Sequence, residues 1–362
     1  MAPTDHPPFA DPGIGVYIHF PFCRRHCRYC HFTTAAFKPA AAENYLELLQ
    51  REIELRARPD RLARTLYLGG GSPSLLSLSQ IRELKQSLAD NFPHFEPVEA
   101  SIEANPEDLN PEWLHEAVSN GFNRISIGVQ SLQEEVLHYL GRNHTPETSL
   151  QAISLARQAG FANINVDLMI GIPGQTPRAI RRQVFTLGEL PVTHLSIYML
   201  EQTPDDTLSN ECRGAKLYLA ARDAAADTGF MQYEVSSFAR PGAECRHNLV
   251  YWRNQEYQGI GLAAAGFLDG IDLRNTSRMP SYCRGIRTGR PVHSRRRIAP
   301  EQRRLVTGLR LTEGVPISAV QSRLDALQPL LEENVLHIVG DRLAVTPDRM
   351  LMLNEILARY VL

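Results

Sequence analysis

The chain has 362 residues, is 43% hydrophobic and 22% charged, and carries a formal net charge of −2 with a pI near 6.6. That is the profile of a globular protein with ample core, and it excludes a global electrostatic bias toward nucleic acid or membranes. Six cysteines in a chain of this length do not form a disulfide framework, and their usage suits a reducing cytoplasm.

Residues 1–13 are proline-rich and lack both a basic n-region and an apolar h-region, so a short disordered tail is expected there and not a signal peptide. No window of about 18 uninterrupted apolar residues occurs, so no segment is expected to span a bilayer. From residue 16 to about 200, apolar β-rich runs alternate with helical patterns. Strands are expected at 16–20, 65–68, 98–103, 124–129, 164–170 and 195–200, most of them near-continuous apolar runs of the kind that parallel strands show when buried on both faces. Helices are expected at 42–57, 79–91, 111–120, 134–140 with 146–159, and 177–190. Asn110-Pro111 opens one of them, and Gly121 and Gly160 sit where helices should stop. Six β/α units imply a partial TIM-type barrel or a doubly wound sheet, an α/β fold in either case.

Beyond residue 200 the alternation becomes irregular. A helix is expected near 211–227, a strand near 233–238, then a Gly-rich, aromatic segment to 273. The stretch 284–304 carries eight arginines against one acid, Glu301, and is either a solvated linker or a docking site for an anionic partner or ligand carboxylates. From 300 on, two helices, a hairpin (335–339 and 343–345) and a final helix suggest a small winged-helix-like α+β module. The expected organisation is a tail at 1–13, a core at 14–240, an irregular segment with a basic linker at 241–299, and the module at 300–362.

The residues with chemistry collect at the carboxyl ends of the expected strands, where α/β folds bind ligands. Cys23, Cys27 and Cys30 follow the first strand with the spacing C-x3-C-x2-C and no fourth cysteine close by. Three thiolates in one loop leave one iron of a four-iron cluster open; a zinc site completed by His26 or His31 is the alternative. Gly69-Gly70-Gly71-Ser72-Pro73 follows the second strand, Glu103 closes the third, Gln130 closes the fourth, and Asp167 interrupts the fifth. Singly, each has an ordinary structural explanation: a turn, a capped strand end, a buried paired acid. On one rim they form a candidate site in which freed backbone N–H groups, two carboxylates, Gln130 and Arg142 face a polar ligand.

These residues resemble the radical S-adenosylmethionine (SAM) superfamily, whose cluster motif is C-x3-C-x2-C after a first strand. The resemblance extends to the branch of oxygen-independent coproporphyrinogen III oxidase and its relatives, the HemW heme chaperones, through Tyr17, His19, Pro21, Phe22 and Cys23 and the loop from Gly69 to Pro73. It also includes Gly308-Leu-Arg-Leu-x-Glu-Gly314 and covers nearly the whole chain. It implies a partial (β/α)6 radical SAM barrel and a [4Fe-4S] cluster on Cys23, Cys27 and Cys30. It assigns SAM to Tyr17, Tyr29, Gly70, Gly71, Ser72, Glu103, Gln130, Arg142 and Asp167. Phe32 stands where the oxidases carry a fourth cysteine, and only about fifteen residues precede the first strand, where the oxidases have a long segment. The chaperone pattern His-Asn-x-x-Tyr-Trp is present as His247, Asn248, Tyr251 and Trp252. The chaperone type is therefore favoured, with heme as cargo held near His247 and Cys245, over the oxidase that decarboxylates propionates. One departure is Ala265, where the family pattern Gly-x-Gly-Ala-His-Ser has histidine. The resemblance further implies heme-accepting respiratory proteins and a low-potential electron donor as partners, with membrane contact only through the acceptors. Arg24, Arg25 and Arg28 place positive charge near the cysteines, which would raise the potential of an anionic cluster.

Overall fold

The computed structural model describes residues 13–92, 95–200, 208–291 and 293–361; the expected tail at 1–13 lies, except for Gly13, outside them. Six parallel strands carry the fold: β1 (Gly13–Phe20), β2 (Leu62–Gly70), β3 (Glu99–Ala104), β4 (Arg124–Gln130), β5 (Asn163–Ile170) and β6 (His194–Met199). Each pairs in parallel with its successor in the sequence. A doubly wound sheet would reverse its direction of growth within these units at a switch point; here β1 to β6 are added in one direction only. Inward side chains from β2 through β6 line one cavity, so the strands curl into a partial (β/α)6 TIM-like barrel.

The crossovers are α1 (Pro39–Arg56), α2 (Leu78–Asn91), α3 (Pro111–Ser119), α4 (Glu134–Leu140) with α5 (Pro146–Ala159), and α6 (Pro177–Gly188). Local chemistry fixes most of their starts. Ser77 and Gln80 form a capping box, and the side chains of Asn110, Thr145 and Thr176 accept from backbone N–H groups three residues on. Gly141 and Gly160 end their helices in the left-handed region. The outward faces of the strands are apolar, with Ile102, Ile125, Ile127, Val166 and Ile197 buried against the helices. The inward faces are not: Ser101, Ser126, Asn165 and Ser196 are buried polar groups.

Both edges of the barrel are extended into a twelve-stranded sheet. Beyond β6, after α7 (Leu208–Asp227), lie Ser237–Ala239 and Met231–Glu234, both antiparallel, so the single strand expected at 233–238 is a tight hairpin. Beyond β1 lie Tyr257–Ile260 in parallel, then antiparallel Ala265–Leu268, Ile271–Asn275 and His293–Arg296. The segment expected to be irregular is therefore ordered, and it also contains α8 (Arg246–Trp252) and α9 (Met279–Arg287). Its strands have four or five residues. Turns at positive φ (Gly261, Ala263, Asp269, Gly270) separate several of them, and pieces this short show no readable period. The arginine run is likewise divided among α9, the edge strand and α10 (Pro300–Gly308), where Arg303 is buried.

The C-terminal module has its own core of Leu305, Leu309, Leu327, Leu343, Leu353 and Ile356, on α10, α11 (Leu324–Glu332), the hairpin Leu336–Val339 with Arg342–Val345, and α12 (Leu353–Tyr360). Arg253–Glu313 and Arg310 over the Trp252 ring fasten it to the barrel. Among the described residues no helix is long and apolar enough to cross a membrane.

Glu52 of α1 is fully buried and ties the barrel to its extension. It accepts from Gly261 N (2.8 Å), Asn275 Nδ2 (2.7 Å) and Tyr282 Oη (2.7 Å), and pairs with Arg56. Glu52→Ala would leave Arg56 and three donors without this acceptor. Urea unfolding should show a loss of about 3–5 kcal/mol, the cost of breaking a buried pair; a loss below 1 kcal/mol would contradict this role.

Candidate functional site

The loop that carries the cysteines is held by the ends of β1 and β2. Phe22 and Cys23 bridge in parallel to Ala35 and Ala36, and Phe37 N donates to Cys23 O, closing the loop at its neck. The glycine loop lies directly against this neck: Gly71 N donates to Phe20 O (2.7 Å) and Ser72 N to Phe22 O (2.8 Å). No side chain fits there. A Cβ on Gly69 would lie 2.8 Å from the Glu103 carboxylate, one on Gly70 2.4 Å from the His19 ring, and one on Gly71 2.6 Å from Phe22 O. His19 completes the joint. Its Nε2 faces Thr33 O of the cysteine loop (3.0 Å) and its Nδ1 faces Tyr17 Oη (2.9 Å). A carbonyl only accepts, so Nε2 carries the proton and Tyr17 donates to Nδ1; burial lowers the histidine's pKa and keeps it neutral.

Arg142, just past the left-handed cap at Gly141, reaches back to the same loop. Its Nη1 donates to Cys27 Sγ (3.6 Å), and its Nη2 to Asn105 Oδ1 (2.7 Å) and Gly128 O (2.9 Å). Asn105 Nδ2 in turn donates to Ser72 Oγ (2.8 Å). One chain of hydrogen bonds thus joins the glycine loop, the end of β3 and a cysteine. Tyr29 is half-buried in the same loop, packed against Val136, Leu140, Met169 and Ile172. Gln130 closes β4 at φ +65°, a conformation uncommon for a residue with a side chain and often found at functional sites.

The donor set fits an iron–sulfur cluster. Burial pushes the Cys23 thiol up to about 11 and raises that of Cys30, so metal must displace protons on binding. Among the described residues no three His, Cys, Asp or Glu side chains converge as ligands of a single ion would, and His26 is engaged by Thr34. Each thiolate of a four-iron cluster takes its own iron, which tolerates the wider spread and disfavours the zinc alternative. Arg142 Nε is buried without a partner, a donor left for a further ligand. Arg24 and Arg25 are turned to Asp108 and Asn143.

Behind this rim the barrel interior forms a small polar cavity lined by Glu103, Asp167, Ser101, Ser126, Asn165 and Ser196 among others. Glu103 accepts from Gly70 N (2.9 Å) and Tyr67 Oη (2.9 Å), and Asp167 from Ser126 Oγ (3.0 Å) and Asn165 Nδ2 (2.8 Å). Desolvation, with the charge of Asp167 adding to it, raises Glu103 to about 7; burial raises Asp167 as well. The expected rim residues thus converge. Sequence reasoning missed Asn105, Tyr67 and the serines and asparagine inside the barrel, and gave His19 no role beyond its place in the motif. A period-two reading of polar residues within the apolar runs (Ser101 with Glu103, Asn165 with Asp167) would have found the inner face.

Cys245 and His247 lie at the amino end of the barrel, where Cys245 lines the floor of the same cavity and the His247 ring packs against Tyr67. His247 is fully buried, with Nδ1 2.8 Å from Thr65 Oγ1 and Nε2 2.6 Å from Tyr251 Oη; burial lowers it to about 3. Cys245 Sγ lies 3.6 Å from Glu99 Oε1. Both ring nitrogens are engaged, so an iron here would have to displace a hydrogen bond.

A model of the radical SAM superfamily matches residues 17–183. The chain is 31% identical to the heme chaperone HemW of Bacillus subtilis (strain 168), covering 96% of this chain and 98% of that one. It is 32% identical to the heme chaperone HemW of Escherichia coli (strain K12), covering 97% and 98%. Among solved structures, the coproporphyrinogen III oxidase HemN of Escherichia coli superposes with a TM-score of 0.84 at 22% identity, over 97% of this chain and 90% of its own, a likeness of fold.

Glu103 gives the cofactor-free protein a pH signature. Its pKa lies at about 7, above the ordinary 4.5. Its contribution to stability is therefore full below pH 4.5 and lost as the pH rises through 7. Urea unfolding at pH 4.5 and 7.5 should show Glu103→Gln removing a decline on the order of 3 kcal/mol. A wild-type decline of the same size in the variant would assign it to another group.

Proposed function

Because this chain belongs to the HemW family of the radical SAM superfamily, we propose that it is a heme chaperone. In this reading it carries a [4Fe-4S] cluster and SAM, binds heme, and passes it to heme-accepting respiratory proteins. The observation that carries the reading is the joint of three chain segments. The three-cysteine loop, the Gly69–Ser72 loop and the rim of Glu103, Gln130, Arg142 and Asp167 meet at the carboxyl ends of six parallel strands.

Cys23, Cys27 and Cys30 would hold three irons and leave the fourth for the methionine end of SAM. Bound together, cluster and SAM supply one-electron chemistry drawn from a low-potential donor. The chain's own part is positional. Arg142 offers its unpartnered Nε to a carboxylate, Glu103 and Asp167 offer acceptors to an ammonium or to ribose hydroxyls, and the glycine loop lets backbone N–H groups approach. Tyr17, Tyr29 and Gln130 complete the walls.

The oxidase of the same branch is the second reading. Phe32, 69% exposed at the rim of the cysteine loop, stands where the oxidases carry their fourth cysteine. Anaerobic protein supplied with reductant, SAM and coproporphyrinogen III should give no decarboxylated product; several turnovers per cluster would promote the oxidase instead.

Two measurements test the site. Alanine at Cys23, Cys27 or Cys30 should abolish the broad visible absorbance and the iron and sulfide content of anaerobically reconstituted protein. Full iron and sulfide in all three variants would remove the cluster from this loop. Glu103→Ala should weaken SAM binding by about 1.5–3 kcal/mol, the scale of a charge-assisted hydrogen bond. Calorimetric affinities equal to wild type in both Glu103→Ala and Asp167→Ala would put the cofactor elsewhere.

A further inference from the structure

Two polar residues packed together beneath the rim have no part in the site described above: His194, buried on β6, and Tyr233 on the edge hairpin. They belong to a chain of hydrogen bonds that ends on Asp167. The register of β5 and β6 sets Asn165 opposite His194 and Asp167 opposite Ser196, and all four line the cavity. Asn165 Nδ2 lies 2.8 Å from Asp167 Oδ1, and Asn165 Oδ1 lies 2.6 Å from His194 Nδ1. His194 Nε2 lies 2.8 Å from Tyr233 Oη, which is 3.2 Å from Cys245 N.

The chemistry of the two ends fixes the direction of every link. A carboxylate only accepts, so Asn165 turns its amide nitrogen to Asp167 and its oxygen to His194. His194 then carries a proton on Nδ1. Burial, with the Arg124 charge adding to it, holds the pKa of the ring well below the ordinary value and keeps it neutral, so Nε2 is a bare acceptor. Burial pushes the Tyr233 phenol well up. Its hydroxyl therefore keeps its proton, donates it to Nε2, and accepts from the backbone N–H of Cys245. Every N–H and O–H in the chain points toward Asp167, and dipoles aligned in this way strengthen one another. Ser126 Oγ donates to Asp167 Oδ2 and Ser196 Oγ to Asn165 Oδ1, bracing the pair from the side. A carboxylate oxygen can accept two bonds, which leaves room on Asp167 for a donor of the ligand.

We propose that His194 and Tyr233 are positioning residues of the SAM site, holding Asp167 as an oriented acceptor for the ligand from within the barrel. This rests on the placement of SAM at Asp167. Both residues act through Asn165 and not by contact with the ligand. The chain starts at the amino end of α8, so the segment with the His-Asn-x-x-Tyr-Trp pattern supplies the first donor of the chain that orients Asp167.

Nitrogen-15 NMR of histidine-labelled protein tests the chain without any ligand. The His194 signals, identified by their loss in His194→Gln, should show a protonated Nδ1 and an unprotonated Nε2. They should not titrate across the range in which a free histidine does. A proton on Nε2, or a ring that charges across that range, would break the chain and overturn the proposal. SAM titrated calorimetrically into the anaerobic, cluster-loaded protein tests the effect on binding, with circular dichroism as the check on folding. Tyr233→Phe and His194→Leu should bind SAM about fivefold more weakly, the effect of one hydrogen bond. His194→Gln keeps a donor for Asn165 and an acceptor for Tyr233, and should bind SAM as wild type does. In an Asp167→Asn background, Tyr233→Phe should cost nothing further, because both changes act on one group. If Asp167→Asn weakens SAM binding while folded Tyr233→Phe and His194→Leu match wild type, the chain is packing alone and the placement of SAM stands. If Asp167→Asn itself binds SAM as wild type does, that placement fails and the proposal with it.

Discussion

The architecture depends on how closely β1 and β2 approach each other at their carboxyl ends. Three consecutive glycines admit the His19 ring, the Phe22 backbone and the Glu103 carboxylate to positions where any Cβ would collide. The same contact locks the neck of the cysteine loop through Gly71 N and Ser72 N. A loop with three free thiols has little packing of its own, so its shape is borrowed from the strands beneath it. His19 transmits that shape, because its single ring proton is committed to Thr33 O and its other nitrogen to Tyr17.

The second consequence is electrostatic. A barrel usually fills its interior with branched apolar side chains, whereas this one places Ser101, Ser126, Asn165, Asp167 and Glu103 inside. Each carboxylate has donors, yet desolvation raises both pKa values. Such an interior is costly for the empty protein and matches a ligand that brings its own cation. Stability and binding are therefore opposed at Glu103, and a polar ligand would resolve the conflict.

The closed end of the barrel complements the open one. α8 plugs it, with Glu99 accepting from the backbone of Arg246 and His247 and lying beside Arg124. His247 sits between Thr65 and Tyr251. The segment containing the His-Asn-x-x-Tyr-Trp pattern thus acts as a stopper in this structure. The sheet extension that follows it is positioned through Glu52, Asn275 and Tyr282.

By itself the sequence determined the repeating β/α units, most helix starts and ends, the three-cysteine loop and the rim residues. These depend on local rules: long apolar runs, capping side chains, and unusual residues at strand ends. Only the tertiary structure decided whether the sheet was wound once or twice, because β1 to β6 differ from a doubly wound order in pairing and not in pattern. It also decided that 257–260, 265–268, 271–275 and 293–296 are strands of the same sheet, since pieces of four or five residues leave no period to read. Asn105 acquired its role the same way: its bonds to Ser72 and Arg142 span 33 and 37 residues, and nothing local announces them. The surroundings of His247 belong to this class too, because burial exists only once distant segments are packed together.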